Sequence, residues 1–236
     1  MNDATVKRLN QINREFYQIT AASFDESRGE PWPGWDVLLP YLKTPLSVLD
    51  VGCGNGRFGL FLAEKLESPP AYHGIDNNPA LLDRARAALS HLDVHLENRD
   101  VIADPPHEGE YDLVALFGVL HHVPGCAHRR VFMQTLAQRV APGGYLAFAA
   151  WCFYEYERFR ARIVPWPDDL HPDVEPHDYL LDWRRGARAL RYCHYVDEAE
   201  HADLVAASGL TEITTYRADG RTSDINRYTL LRRERP

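Results

Sequence analysis

Lysine is nearly missing from this chain of 236 residues: Lys7, Lys43 and Lys65 are the only ones, so positive charge is almost entirely arginine. The formal net charge is −8. That balance excludes the global basic field of a general nucleic-acid binder and leaves any anionic ligand to meet a local patch. The densest such run is Arg184, Arg185, Arg188 and Arg191. Cysteine is scattered at Cys53, Cys126, Cys152 and Cys193, with no C-x-x-C pair. The spacing argues against a zinc site or a disulfide framework and for a reducing cytoplasm; no metal is expected. No apolar run approaches a membrane span of roughly 20 residues. Met1-Asn2-Asp3-Ala4 also lacks the basic-then-apolar layout of a signal peptide. Internal repeats and low-complexity tracts are missing too. What remains is an ordinary globular composition, long enough for one domain over 1–236 with a full core and no staples.

The chemistry concentrates in Val48-Leu49-Asp50-Val51-Gly52-Cys53-Gly54-Asn55-Gly56-Arg57-Phe58, an apolar run that turns into a glycine loop. Twenty residues past Gly56 a second apolar run ends in an acid, Gly74-Ile75-Asp76. A parallel strand, a glycine turn opening a helix and an acid closing the next strand build a nucleoside-cofactor site. The glycines admit the ligand to the backbone, and the acid accepts from ribose hydroxyls. The loop departs from the dinucleotide G-x-G-x-x-G pattern, and Asp50 precedes it. A carboxylate there suits a ligand carrying an ammonium and a sulfonium better than a pyrophosphate.

Around this motif the hydrophobic pattern alternates as a doubly wound α/β sheet requires. Residues 1–45 form an N-terminal helical cap, with Leu9, Ile12, Phe16 and Ile19 on one stripe of a helix over 5–22. Pro31-Trp32-Pro33-Gly34-Trp35 is too rich in proline to be helical, and a short helix follows at 36–43. The core, 46–150, carries strands at 46–51, 71–76, about 92–97, 111–117 and 145–150, with a helix near 128–140 and Pro142-Gly143-Gly144 as the turn before strand five. Residues 151–195 break the rhythm with three of the five tryptophans and an acidic, proline-rich stretch from 165 to 182. They are expected to be an irregular insertion lying over the active site. A closing helix and hairpin occupy 196–236.

The loop and its following acid closely resemble the first motifs of class I S-adenosylmethionine-dependent methyltransferases, over about residues 45–150 and the last hairpin. The resemblance implies a Rossmann-like, doubly wound, mostly parallel seven-stranded sheet with an antiparallel last strand. It also implies S-adenosyl-L-methionine as cofactor, held by Asp50, Gly52, Cys53, Gly54, Asn55, Gly56, Asp76 and Asn77. In that family Asp100 and Val101 would meet the adenine, and Phe117 would lie by the methionine moiety. His121 and His122 follow strand four where the substrate sits, and either is a candidate for proton transfer.

Outside the core, Asn13-Arg14-Glu15-Phe16-Tyr17, Ser23-Phe24-Asp25-Glu26-Ser27-Arg28, Arg191-Tyr192-Cys193-His194 and Asp224-x-Asn226-x-Tyr228 are similar to segments of another group. These are the methyltransferases that esterify carboxymethyluridine at the tRNA wobble position. Cys193 stands where that family has a tyrosine. The likeness implies tRNA as partner, a small activator subunit, and Arg28, Arg191 and His194 as the grip on a carboxylate or phosphate. Trp32 or Trp35 is placed to cover the sulfonium or stack on a base. A carboxylate nucleophile is ionised at neutral pH and needs no base. Two alternatives stay open: a small-molecule O- or N-methyltransferase working beneath the aromatic insertion, and a non-catalytic cofactor-binding partner subunit.

Overall fold

The computed structural model describes residues 1–26, 30–184 and 187–235. Five parallel strands form the centre: β1 (Ser47–Val51), β2 (Ala71–Asp76), β3 (Val94–Asn98), β4 (Tyr111–Phe117) and β5 (Val140–Trp151). The closing hairpin adds β9 (Thr211–Ala218) and β10 (Asn226–Arg232). The spatial order is β3-β2-β1-β4-β5-β10-β9, with β10, last in sequence, antiparallel to both neighbours. This is the seven-stranded, Rossmann-like sheet expected from the sequence. β1 and β4 are apolar runs buried on both sides, as central parallel strands must be.

Alternate residues of each strand enter opposite cores. Val48, Leu113 and Ala147 pack with the helices α2 (Arg57–Lys65) and α3 (Pro79–Ala88). Leu49, Val114 and Leu146 pack with α4 (Cys126–Ala137) and α6 (Glu198–Ser208). The sheet order reverses between β1 and β4, so the cleft for a ligand opens above the carboxyl ends of these strands.

Four local expectations need correction. The proline-rich segment is helical: a 3-10 helix runs Pro33–Tyr41, because proline at its first position needs no N–H partner. Pro142-Gly143-Gly144 lies inside β5 rather than before it, where the β4 register jumps from Tyr111↔Val140 to Leu113↔Tyr145. The leading helix α1 (Asp3–Glu26) buries Thr5, Leu9, Asn13, Phe16 and Thr20, so Ile19 is turned out and 55% exposed. Its buried stripe includes polar residues because they have partners inside.

The fourth correction concerns the insertion. Between the short helix α5 (Glu157–Arg160) and α6 lies a three-stranded antiparallel sheet, β6 (Ile163–Val164), β7 (Asp178–Trp183) and β8 (Ala189–His194). Leu180 and Tyr192 pack on Leu9 of α1, while Leu181 and Cys193 pack on Phe153. Strands covered on both faces lose the polar–apolar alternation that marks a strand in sequence, which is why this stretch reads as irregular.

Candidate active site

The Gly52–Gly56 loop leaves β1 as a tight turn in which Gly52 and Cys53 both donate to the Ile75 carbonyl, at 2.8 and 2.9 Å. Gly54 adopts φ +55°, and a Cβ built there would meet nothing within 4 Å, so the space faces the cleft. Gly56 has a different reason to be glycine. Its Cβ would come within 3.1 Å of Ala85 Cβ, where α2 approaches α3. Asp76 pins the loop: its Oδ2 accepts from Gly54 N–H at 2.9 Å and its Oδ1 from Asn78 N–H at 2.8 Å. Burial raises the Asp76 carboxyl above its ordinary range despite those two donors. Each oxygen keeps acceptor capacity for a further hydroxyl. Asp50 is buried, accepts from Tyr72 Oη at 2.5 Å, and is pushed up to about 7 by desolvation.

These residues form one half of a cleft of about 690 Å³. Cys53, Asn55, Asn77, Asp100, Val101 and Phe117 line it as well. Asp100 is held by Asn10 Nδ2 at 2.8 Å from α1 and by the Ile102 and Ala103 amides. The other half is walled by Trp32, Trp151, Phe159 and Trp183, with Arg191 among them. Arg191 is buried, and its Cζ lies 4.5 Å from the Trp151 ring and 5.4 Å from Phe16. Among the described residues no carboxylate pairs with it.

The family model for a methyltransferase domain matches residues 28–215. The chain belongs to the methyltransferase-domain family. It is 30% identical over 145 residues, 60% of its length, to a probable chloroplastic tocopherol O-methyltransferase of rice. Against the macaque tRNA (carboxymethyluridine(34)-5-O)-methyltransferase ALKBH8 it is 27% identical over 69% of its length. The chain spans 39% of the rice protein and 24% of the macaque one. Among solved structures, a SAM-dependent methyltransferase from Methanosarcina mazei superposes with a TM-score of 0.67 at 19% identity, covering 88% of this chain and all of that one. The cleft fits S-adenosylmethionine: an open glycine, an acid for ribose, and a buried carboxyl suited to an ammonium.

The structure gathers most of the residues singled out in the sequence, with exceptions. Gly56 lies behind the cleft at the α2–α3 contact. Arg28 and Arg185 fall outside the described residues, and Arg184 is exposed and paired with Asp182. His194 does not reach the cleft. It is 2% exposed, with Nδ1 2.7 Å from Asp178 and Nε2 2.5 Å from Glu200. Burial opposes its charge, but the two carboxylates outweigh burial and raise its pKa. Arg129, equally buried, donates to the same Glu200 at 2.6 Å, so the group ties the small sheet to α4 and α6.

His121 and His122 both line the cleft. His122 Nδ1 lies 2.9 Å from the Tyr192 carbonyl and 3.2 Å from Asn13 Nδ2. Its Nε2 lies 2.8 Å from Tyr17 Oη. Asn13 completes the joint, accepting from Tyr192 N–H at 2.8 Å. This geometry makes His122 a clamp between α1 and β8. Trp35 is a core residue against Phe58 and Phe61, whereas Trp32 is partly exposed on the wall. Sequence reasoning missed Asn10 and noted Asn13 and Tyr17 only as part of a resembling segment, with no role assigned. Their spacing of three and four along a helix was the available signal: polar groups on the face that should be apolar.

Proposed function

We propose that this methyltransferase esterifies a carboxylate, that of a carboxymethyl-modified wobble uridine in tRNA. Arg191 carries the reading. A guanidinium buried among Phe16, Trp151 and Trp183, with no carboxylate partner among the described residues, is costly to hold unless an anion arrives. Its paired donors match a carboxylate. The sulfonium of S-adenosylmethionine supplies an electrophilic methyl group when bound.

The chain's own residues do the rest by placement. Asp76 and Asp100 hold the nucleoside end, Asp50 the ammonium, and Arg191 turns one carboxylate oxygen toward the methyl. Positioning of this kind is worth up to roughly 7–11 kcal/mol. A hydroxyl acceptor would need a base, whereas a carboxylate needs none, and His122 is already engaged by Tyr192, Asn13 and Tyr17. The similarity to the tRNA carboxymethyluridine enzyme supports the RNA substrate. The similarity to the tocopherol enzyme keeps a small acceptor as the second reading.

The test incubates the protein and methyl-labelled cofactor with total RNA and, separately, with a small-metabolite pool. Label should enter RNA and leave as methanol under mild alkali, because an ester hydrolyses and an N- or C-methyl group does not. Alkali-stable label in RNA overturns the carboxylate reading. Label confined to the small-metabolite fraction overturns the RNA one.

A further inference from the structure

Besides Arg191, and Arg57 over Trp32, the mouth of the cleft carries Arg158, Arg162 and Arg221. They come from separate elements: Arg158 from α5, Arg162 from the turn before β6, and Arg221 from the β9–β10 connection. None makes an ion pair with a carboxylate among the described residues, although the chain as a whole is acidic. Arg158 is held over the Phe159 ring at 4.8 Å, and Phe159 meets Trp151 edge-on at 4.9 Å. Trp151 in turn carries Arg191 on its face. Two aromatic rings therefore separate an outer guanidinium from an inner one. The carboxylate of this half, Asp219, is buried and saturated by Gly34 N–H, Asn226 Nδ2 and Tyr228 Oη. It makes no ion pair with any of the three among the described residues.

We propose that Arg158, Arg162 and Arg221 form a phosphate-binding rim, so that the acceptor presents two anions: a carboxylate to Arg191 and a phosphate at the mouth. The proposal rests on the carboxylate reading for the inner site. The outer three call for a separate ligand because three like charges, Arg158 and Arg221 exposed and Arg162 half-buried, line one cleft with no carboxylate paired to them among the described residues. A phosphate suits the rim, since it accepts from several donors at once and arginine forks match its oxygens. Aromatic walls between the two anionic positions suit a planar base lying in the cleft. The acceptor is thus a nucleotide, and a bare nucleoside acid is a poor one.

Calorimetry with uridine and uridine 5′-monophosphate tests the rim without turnover. The monophosphate should bind about tenfold tighter or more, and R158Q/R162Q/R221Q should bind the two equally while keeping wild-type affinity for S-adenosylmethionine as a check on folding. Equal binding by the wild type, or a preference that survives in the variant, overturns the rim. A uridine trinucleotide separates the sources of the phosphate. Tighter binding than the monophosphate, with a steeper loss in salt, assigns the rim to a polynucleotide, and equal binding assigns it to a free nucleotide. Ester formation on 5-carboxymethyluridine and its 5′-monophosphate then judges the two readings apart. Methylation of both at equal kcat/KM overturns the rim alone. Phosphate-dependent binding without an ester on either overturns the carboxylate reading alone.

Discussion

Asp50 offers the sharpest test of the cofactor half, because its carboxyl is held at about 7 by burial rather than near 3.8. A group with a raised folded pKa keeps its proton in the folded state after the unfolded chain has lost it. Stability is therefore full below about 4 and falls as pH climbs through 7. The loss amounts to on the order of 4 kcal/mol when each pH unit counts for about 1.4. Asp50→Asn removes the ionisation but keeps an acceptor for the Tyr72 hydroxyl. Cofactor-free D50N should exceed the wild type in urea melts by about 2 kcal/mol at pH 5.5 and by about 4 kcal/mol at pH 8.

Binding should move the opposite way. An ammonium beside Asp50 gains a partner only when the carboxyl is ionised. Wild-type affinity for S-adenosylmethionine should therefore rise between pH 5.5 and 7.5, and D50N should bind about ten- to a hundredfold more weakly at pH 7.5, the worth of one charged hydrogen bond. The variant's affinity should be flat over that range. Calorimetry reads both quantities. A D50N protein that is less stable at both pH values would show a carboxylate ionised and paired in the fold. Unchanged affinity would take Asp50 out of the ammonium site.

Arg191→Gln should lower kcat/KM for a carboxylate acceptor about a hundredfold, from lost charged donors at about 1.5–3 kcal/mol each. It should leave Tm equal or higher, since no buried ion pair among the described residues is broken. A lowered Tm with unchanged kinetics per folded molecule would make it a scaffold residue. His194→Gln should flatten the pH dependence of unfolding: wild-type stability from the Asp178–His194–Glu200 group is full below about pH 6.5 and is lost as pH rises through the raised folded pKa. Melts at pH 6 and pH 9 that fall in parallel for both proteins would refute it. Asp76→Asn should weaken S-adenosylmethionine binding by about 1.5–3 kcal/mol, read by calorimetry at constant Tm, and an unaltered affinity would leave the ribose without this partner.

The cofactor half was legible because its chemistry is local. Asp50, the glycines and Asp76 sit within one βαβ unit, where strand, turn and helix are fixed by neighbours in sequence. Arg191 was legible from resemblance, but its setting was not: Phe16, Trp151 and Trp183 reach it from three remote segments. His194 shows the opposite error. Histidine beside arginine and tyrosine reads as catalytic, yet Glu200 and Asp178 hold both of its nitrogens. The small sheet was hidden for a physical reason. Its strands are covered by α1 on one face and by Phe153 on the other, and a doubly covered strand has no outward polar residues to mark its period.

The helix α1 is where the two halves meet, and its sequence is odd for that reason. A helix packed on a core for stability alone would bury leucine and isoleucine along its stripe. This one spends three inward positions on Asn10, Asn13 and Tyr17. Asn10 donates to Asp100 on the nucleoside side, while Asn13 and Tyr17 grip Tyr192 and His122 on the side of β8. The next residue before Tyr192 is Arg191. Polar pairs made from one helix to both sides favour a single register, so α1 links the position of Arg191 to that of Asp100. Leucines at those positions would bury the helix as well, but would leave the distance between the nucleoside end and the acceptor grip undetermined. In a transfer that works by alignment, that distance is the quantity the fold has to hold.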